Sequence, residues 1–335
     1  MHRGLVVGLA ALALAPSPAR AQERPLRPVS TYSIVARDSA TGELGVAVQS
    51  HWFSVGPLVP WAEAGVGAVA TQSFIEPGYG PLGLELMRLG RTAPEALKAL
   101  VSTDADSMVR QVAMIDAQGR VAAHTGSRSI QAAGQRVGAQ YSVQANLMER
   151  PTVWDAMARA YETASGDLAD RLLAALIAAE GEGGDIRGRQ SAALLVVRGS
   201  GTGRPWVDRR FDLRVEDHPD PVGELRRLVR LARAYEHLNE GDAHVTQNDL
   251  ERALVSYGKA TTLVPDNATN GEAAFWTGVT LAGAGRVDEG VAYLARAYRS
   301  DARWAALLRQ LPAAGLLPAD SSLVERLVRG MRGGN

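Results

Sequence analysis

Thr31-Tyr32-Ser33-Ile34-Val35 opens a stretch of strand character. A strand alternates its faces, so Thr31 and Ser33 point the same way. A threonine hydroxyl becomes a useful nucleophile when a base sits beside it. A free α-amine on the same residue, with a pKa of about 8, can be that base. Thr and Ser are also ordinary strand residues, so a strand with no chemistry is the plain alternative. A second constellation is Gly183-Gly184-Asp185-Ile186-Arg187-Gly188-Arg189-Gln190-Ser191. Asp185 and Arg187 among glycines suit a loop that recognises an anion, because a guanidinium presents a planar fork to carboxylates. Its alternative is a solvated turn closed by an Asp–Arg pair. Asn146, in Gln144-Ala145-Asn146-Leu147, is a neutral amide at a strand's end and can donate to a developing oxyanion.

Other chemistries lose their residues. The chain of 335 residues has no cysteine, which removes disulfides, thiolate nucleophiles, zinc–thiolate sites and iron–sulfur clusters. Its histidines (His2, His51, His124, His218, His237 and His244) show no metal-binding spacing. There is no Gly-x-Ser-x-Gly elbow, no P-loop and no dinucleotide fingerprint at a strand–helix junction. No cofactor and no metal are expected. Lys98 and Lys259 are the sole lysines, which disfavours a lysine-dependent mechanism. Lys+Arg and Asp+Glu are each 36, so net charge makes no case for nucleic acid or an anionic membrane as the main partner.

The elements that must position these residues alternate in kind. Strands are expected over residues 32–36, 43–50 and 65–73, the first two as a hairpin. Helices follow at 79–89 and 93–100, the second opened by a Thr92–Glu95 capping box. A hairpin at 111–116 and 120–125 and a strand at 141–147 come next. Then come helices at 152–163 and 167–180, the glycine-rich loop at 181–189, and strands at 191–198 and 205–215. This order argues a layered α+β domain rather than a doubly wound parallel fold.

Residues 1–21 read as a signal peptide. Arg3 precedes an apolar run from Leu5 to Ala15, too short to span a bilayer, and Ala19-Arg20-Ala21 is a small-x-small cleavage site. The chain is therefore expected to be exported, periplasmic or secreted, with no membrane contact after signal removal. Residues 22–30 form a short proline-containing leader, and 31–220 the layered domain. Asp217-His218-Pro219-Asp220-Pro221 is a rigid break. Residues 221–335 are expected to be helical and tetratricopeptide-like. Leu250-Glu251-Arg252-Ala253-Leu254 recurs as Val287-Asp288-Glu289-Gly290-Val291, close to the roughly 34-residue period of such helix pairs. This tail is a candidate surface for a protein partner, or simply a cap on the first domain.

Several blocks taken in order resemble a bacterial and archaeal family, domain of unknown function 1028. They are Thr31 to Asp38, Gly42 to Val48, Val59-Pro60-Trp61-Ala62, Gly65 to Gln72 and Tyr79 to Leu84, then Gly184 to Ala192 and Val215 to Pro221. Together they cover about residues 31–235. That family is similar in fold to the N-terminal-nucleophile hydrolases. The resemblance implies a four-layer αββα sandwich and amide-bond hydrolysis. The hairpin also resembles the start of acid ceramidase and the bile salt hydrolases, where a catalytic cysteine stands at the strand head. Laid on this chain, that start puts Thr31 at the nucleophile position and Ser33 two residues inside. The chain departs from those enzymes in using Thr, as the proteasome does, and it has no Lys near the second strand.

Two readings follow. One is an exported amidohydrolase acting on a small amide or peptide-like substrate. In it Thr31 is the nucleophile and Asn146 serves the oxyanion, while Asp185 and Arg187 orient the substrate or the amine. The nine residues from Gln22 to Ser30 must then be removed before Thr31 has a free amine. The other is a non-catalytic binding protein that recognises a peptide or cell-wall fragment through the layered domain or the tail.

Overall fold

A computed structural model describes residues 29–333; the signal peptide expected over 1–21 and most of the leader expected over 22–30 lie outside them. Strands β1 (Thr31–Arg37), β2 (Leu44–Ser50), β3 (Pro60–Glu63) and β4 (Gly67–Ser73) come first, then helices α1 (Tyr79–Arg88) and α2 (Ala93–Thr103). Next are β5 (Arg110–Asp116), β6 (Val121–Thr125), β7 (Gly134–Gly138) and β8 (Tyr141–Ala145). After α3 (Val153–Thr163) and α4 (Leu168–Gly181) come β9 (Ser191–Val197), the short α5 (Pro205–Asp208) and β10 (Arg209–Val215). The remainder is helical: α6 (Pro221–Thr246), α7 (Leu250–Leu263), α8 (Glu272–Gly283), α9 (Val287–Ser300), α10 (Trp304–Leu308) and α11 (Ser321–Met331).

The strands make two antiparallel sheets, ordered β10-β9-β2-β1-β8-β7 and β3-β4-β5-β6. Period-two alternation sorts their side chains. Tyr32, Ile34, Val143, Leu194 and Val196 face outward into a cluster with α3, α4 and the first half of α6. Val35, Val46 and Val48 face the opposite way and join Ala68, Ala70, Ala113 and Ile115 of the other sheet. That second sheet turns Val69, Val112 and Met114 toward α1 and α2. The fold is thus mixed α and β, with antiparallel sheets and a helical C-terminal region. The Thr92–Glu95 capping box forms as the sequence suggests: Thr92 Oγ1 accepts from the Glu95 N–H, and Glu95 Oε2 from the Thr92 N–H.

Three details differ from the expected elements. β3 and β7 are edge strands that carry a proline or terminal glycines, so they lack the alternating apolar signal. The strand expected over 205–215 starts with a helical turn, because Pro205 sits at its first position and supplies no N–H. The boundary expected at residue 220 does not separate two cores. Val222, Leu225 and Val229 of α6 are buried with the outer face of the six-stranded sheet, while Ala234 and Leu238 pack with α7. In the tail, α6 lies along α7 and α8 along α9. Gly278 and Gly290 permit close approach of the last pair; a Cβ on Gly278 would meet the Gly290 carbonyl oxygen at 2.8 Å.

Candidate active site

Thr31 heads β1, a central strand paired to β2 on one side and β8 on the other. The alternation that sends Tyr32 outward turns Thr31 and Ser33 into the space between the sheets. At this end of the sandwich the inward positions become polar: Ser50 on β2, Gln72 on β4, Gln111 on β5, and Gln144 with Asn146 at the end of β8. All are fully buried. Buried amides and hydroxyls persist only when paired, and this group largely pairs with itself.

The Thr31 carbonyl accepts from the Asn146 N–H at 3.1 Å and from Gln72 Nε2 at 3.1 Å. Gln72 Nε2 also donates to Gln111 Oε1 at 2.6 Å. Ser33 Oγ donates to Gln72 Oε1 and accepts from Gln144 Nε2, each at 2.6 Å. Ser33 therefore sits one strand repeat below Thr31 and works as a tie within the glutamine network. Asn146 Nδ2 donates to Gln111 Oε1 at 2.9 Å, and its Oδ1 has no partner. The Asn146 amide is turned toward Gln111 and, at 3.5 Å, the Thr31 carbonyl, and not toward the Ser30 carbonyl.

The preceding carbonyl, that of Ser30, meets a different pair of donors. The Ser30 carbonyl accepts from Ser50 Oγ at 2.5 Å and from Arg187 Nη2 at 2.8 Å. This is the carbonyl of the peptide bond that joins the leader to Thr31. The Thr31 hydroxyl donates to the Val29 carbonyl at 2.7 Å. Arg187 is aimed by Asp185, whose two carboxylate oxygens accept from its Nε at 3.0 Å and its Nη2 at 2.7 Å. Asp185 is itself fixed: its side chain is wholly buried, and it accepts from the backbone N–H groups of His51 and Arg187.

The loop that carries this pair needs its glycines. Gly183, Gly184 and Gly188 all have positive φ, which side-chain-bearing residues rarely adopt. The loop is strapped to the end of β8 by Glu149 N–H to Gly184 O and by Ile186 N–H to Leu147 O. Behind it Tyr32 donates to Glu180, which also pairs with Arg189. Burial, followed by the Glu180 charge, raises the Tyr32 phenol well above its ordinary pKa, so it stays protonated and keeps donating.

Thr31, Asp185 and Arg187 thus converge around one peptide bond, with Ser33 and Asn146 in the supporting network. Sequence reasoning missed Ser50, Gln72, Gln111 and Gln144. Their signal was strand parity: each is a polar residue at an inward position. Among the described residues no group of His, Asp and Glu could hold a metal ion. No described helix is long and apolar enough to cross a membrane. A separate cavity of about 520 Å³ lies in the tail, with Asp242, Tyr257, Trp276 and Leu316 on its walls.

Among solved structures, the chain is similar to protein SPO2555 from Silicibacter pomeroyi, which carries the family-model DUF1028. They are 32% identical, the match covers 61% of this chain and 89% of that one, and the TM-score is 0.54. It is also similar to Anbu, the ancestral beta-subunit from Yersinia bercovieri. That match is 14% identical, covers 59% of this chain and 92% of that one, and has a TM-score of 0.32. No curated protein matches the chain. The family described as "Family of unknown function (DUF1028)" matches residues 31–225, more than half of the chain, and the protein belongs to it.

Proposed function

We propose that this protein is an exported amidohydrolase with Thr31 as an N-terminal nucleophile, made as a precursor that cuts its own Ser30–Thr31 bond. The observation that carries this reading is the Ser30 carbonyl. It is one backbone oxygen at the head of a central strand, held by a buried hydroxyl and a guanidinium, directly before a threonine. Two donors converging on a carbonyl oxygen are what a tetrahedral oxyanion requires. The arrangement of helices around two facing sheets supports a four-layer αββα sandwich of the N-terminal-nucleophile kind.

In the self-cleavage step, the Thr31 oxygen attacks the Ser30 carbonyl carbon. Its proton passes to the Thr31 nitrogen as the C–N bond breaks, leaving an ester between Ser30 and the Thr31 oxygen. Water then hydrolyses this ester to give a Ser30 carboxylate and a free Thr31 amine. That amine becomes the base for the same hydroxyl in the next cycle, on a small amide or peptide-like substrate. Ser50 and Arg187 stabilise the oxyanion, and Asp185 positions Arg187. Ser33 and Asn146 hold the network beneath the nucleophile.

Intact mass and N-terminal sequencing of the purified protein test this. A species beginning at Thr31 is expected in the parent and in Thr31→Ser, and none in Thr31→Ala or Thr31→Val. Amide hydrolysis should follow the same pattern. A parent that retains residues 22–30 yet hydrolyses amides fully would overturn the assignment. The tail cavity favours a second reading, a tetratricopeptide-like module that binds a peptide or protein partner. Amide turnover that survives in Thr31→Ala would remove Thr31 from the mechanism, and its absence in the parent together with ligand binding at the tail would favour the second reading.

A further inference from the structure

The last two leader residues lie in the site as a bound acyl group would. The Val29 N–H donates to the Ser73 carbonyl at 2.7 Å, and the Ser73 N–H donates back to the Val29 carbonyl at 3.0 Å. This is the antiparallel bridge that an added strand makes with a sheet residue. Ser73, at the end of β4, has a φ of 72°, an uncommon backbone conformation for a residue with a side chain. Strain of this kind collects at functional sites. The Val29 side chain is 1% exposed, in the inter-sheet cluster that includes Val48, Val55, Val59 and Ile75. Ser30 is fully buried, and its hydroxyl has no partner. Its carbonyl rests on Ser50 and Arg187.

We infer that the groove filled by Val29 and Ser30 is the acyl-side subsite of the mature protein. Its substrates are then short extended peptides or acyl-peptides in which a small residue supplies the scissile carbonyl and a β-branched apolar residue precedes it. The inference rests on the N-terminal-nucleophile reading and follows from its chemistry. Self-cleavage and substrate turnover each pass through an ester on the same Thr31 oxygen. In the first the acyl group is the leader's Val29-Ser30; in the second it is the substrate's. Both esters need the same two donors at the carbonyl, so both acyl groups run away from Thr31 along the same groove. Once the leader departs, Ser73 regains a free N–H and C=O, and the Val29 seat opens. An acidic residue in that seat would place an unpaired carboxylate in an apolar cluster, which is strongly disfavoured.

The test offers the processed protein three fluorogenic amides: acetyl-Val-Ser-, acetyl-Asp-Ser- and acetyl-Val-Phe-aminomethylcoumarin. The first should exceed each of the others in kcat/KM by more than roughly tenfold, and free acetyl-Val-Ser should compete with it. Equal turnover of all three overturns the groove assignment and leaves the hydrolase standing. No turnover, with fluorescently labelled acetyl-Val-Ser bound saturably and labelled acetyl-Asp-Ser not bound, supports the groove and removes the hydrolase. Neither turnover nor binding overturns the inference. If the chain stays unprocessed, full-length Val29→Asp replaces it in the binding assay, because its leader carries a charge the apolar seat refuses. Val29→Asn, polar but uncharged, serves if that variant fails to fold, and absence of binding in a folded variant overturns the inference.

Discussion

Replacing Ser50 with alanine removes one hydrogen bond from the Ser30 carbonyl and little else. Ser50 is the last residue of β2, lies opposite Thr31 in register and is fully buried. In the folded chain the carbonyl keeps its second donor, Arg187. The loss to stability is therefore that of one neutral hydrogen bond, about 1 kcal/mol. That lowers Tm by about 2–4 °C in a protein of this size class. In the tetrahedral intermediate of the proposed self-cleavage the same oxygen bears a full negative charge. Deleting one donor to such an oxyanion costs about 10²–10³ in rate, or roughly 3–4 kcal/mol. Ser50→Ala should therefore slow cleavage of the Ser30–Thr31 bond at least about a hundredfold while barely changing the melting curve. Ser191→Ala is the control. Ser191 pairs with Ser50 across β2 and β9, is equally buried, and spends its hydroxyl on the Trp52 carbonyl instead. It should lose comparable or greater stability with cleavage close to the parent's. The assay is a time course of intact mass on freshly purified precursor, beside a thermal melt. Cleavage of Ser50→Ala at the parent's rate refutes the reasoning, and so does an equal slowing in Ser191→Ala.

Arg187→Ala should cost both function and fold. It removes a charged donor from Ser30 and leaves the buried Asp185 carboxylate with only backbone donors, a loss of about 2–3 kcal/mol after allowing for the partial exposure of Arg187. A thermal melt unchanged from the parent would refute this, and Arg187→Lys should recover only part of the loss. A chain ending at Asp220 loses Val222, Leu225 and Val229 from the core beneath the six-stranded sheet. At about 1.5–3 kcal/mol each this rivals the whole stability of a domain, so that chain should be unfolded or insoluble by circular dichroism, whereas one ending at Thr246 should fold. A folded chain ending at Asp220 would refute the shared-core account. Six tyrosines (Tyr32, Tyr79, Tyr141, Tyr161, Tyr235 and Tyr257) are held above the ordinary phenol range, chiefly by burial; for Tyr235, burial and then Glu272 push it up to about 12. Their contribution is present below about pH 10 and is lost as pH rises through the raised values. Alkaline titration should show these phenolates appearing together with loss of circular dichroism. Their ionisation near pH 10 in a folded chain would refute it.

The parts of the fold legible in the sequence are those where one face is apolar and the spacing is regular. β1, β2, β8 and β9 alternate or run apolar because both their faces are covered. α2 announces itself through Thr92 and Glu95. β3 and β7 escape notice because edge strands need only one partner and tolerate Pro60 and Gly134. For the site, Thr31 and the Asp185–Arg187 loop could be read because a strand head and a glycine-flanked ion pair are local patterns. Ser50 and the glutamines could not, since their meaning depends on which residues face one another across two sheets. Asn146 shows the limit of local reading. Its backbone N–H meets the Thr31 carbonyl, but the direction of its side-chain amide is set by Gln111, 35 residues away.

α6 has a consequence for anything the tail binds. Its 26 residues run about 39 Å without a break, with one half rooted in the sheet-bearing core and the other in the first helix pair of the tail. A flexible tether would let a captured ligand sweep a volume around Thr31 and raise its local concentration there. A rigid rod offers no such averaging. Whatever docks on the tail is carried at one fixed bearing and distance, so its encounter with the strand head is either built into the geometry or does not occur. Lengthening α6 by a single residue would turn that bearing by about 100°, the angular step of the helix.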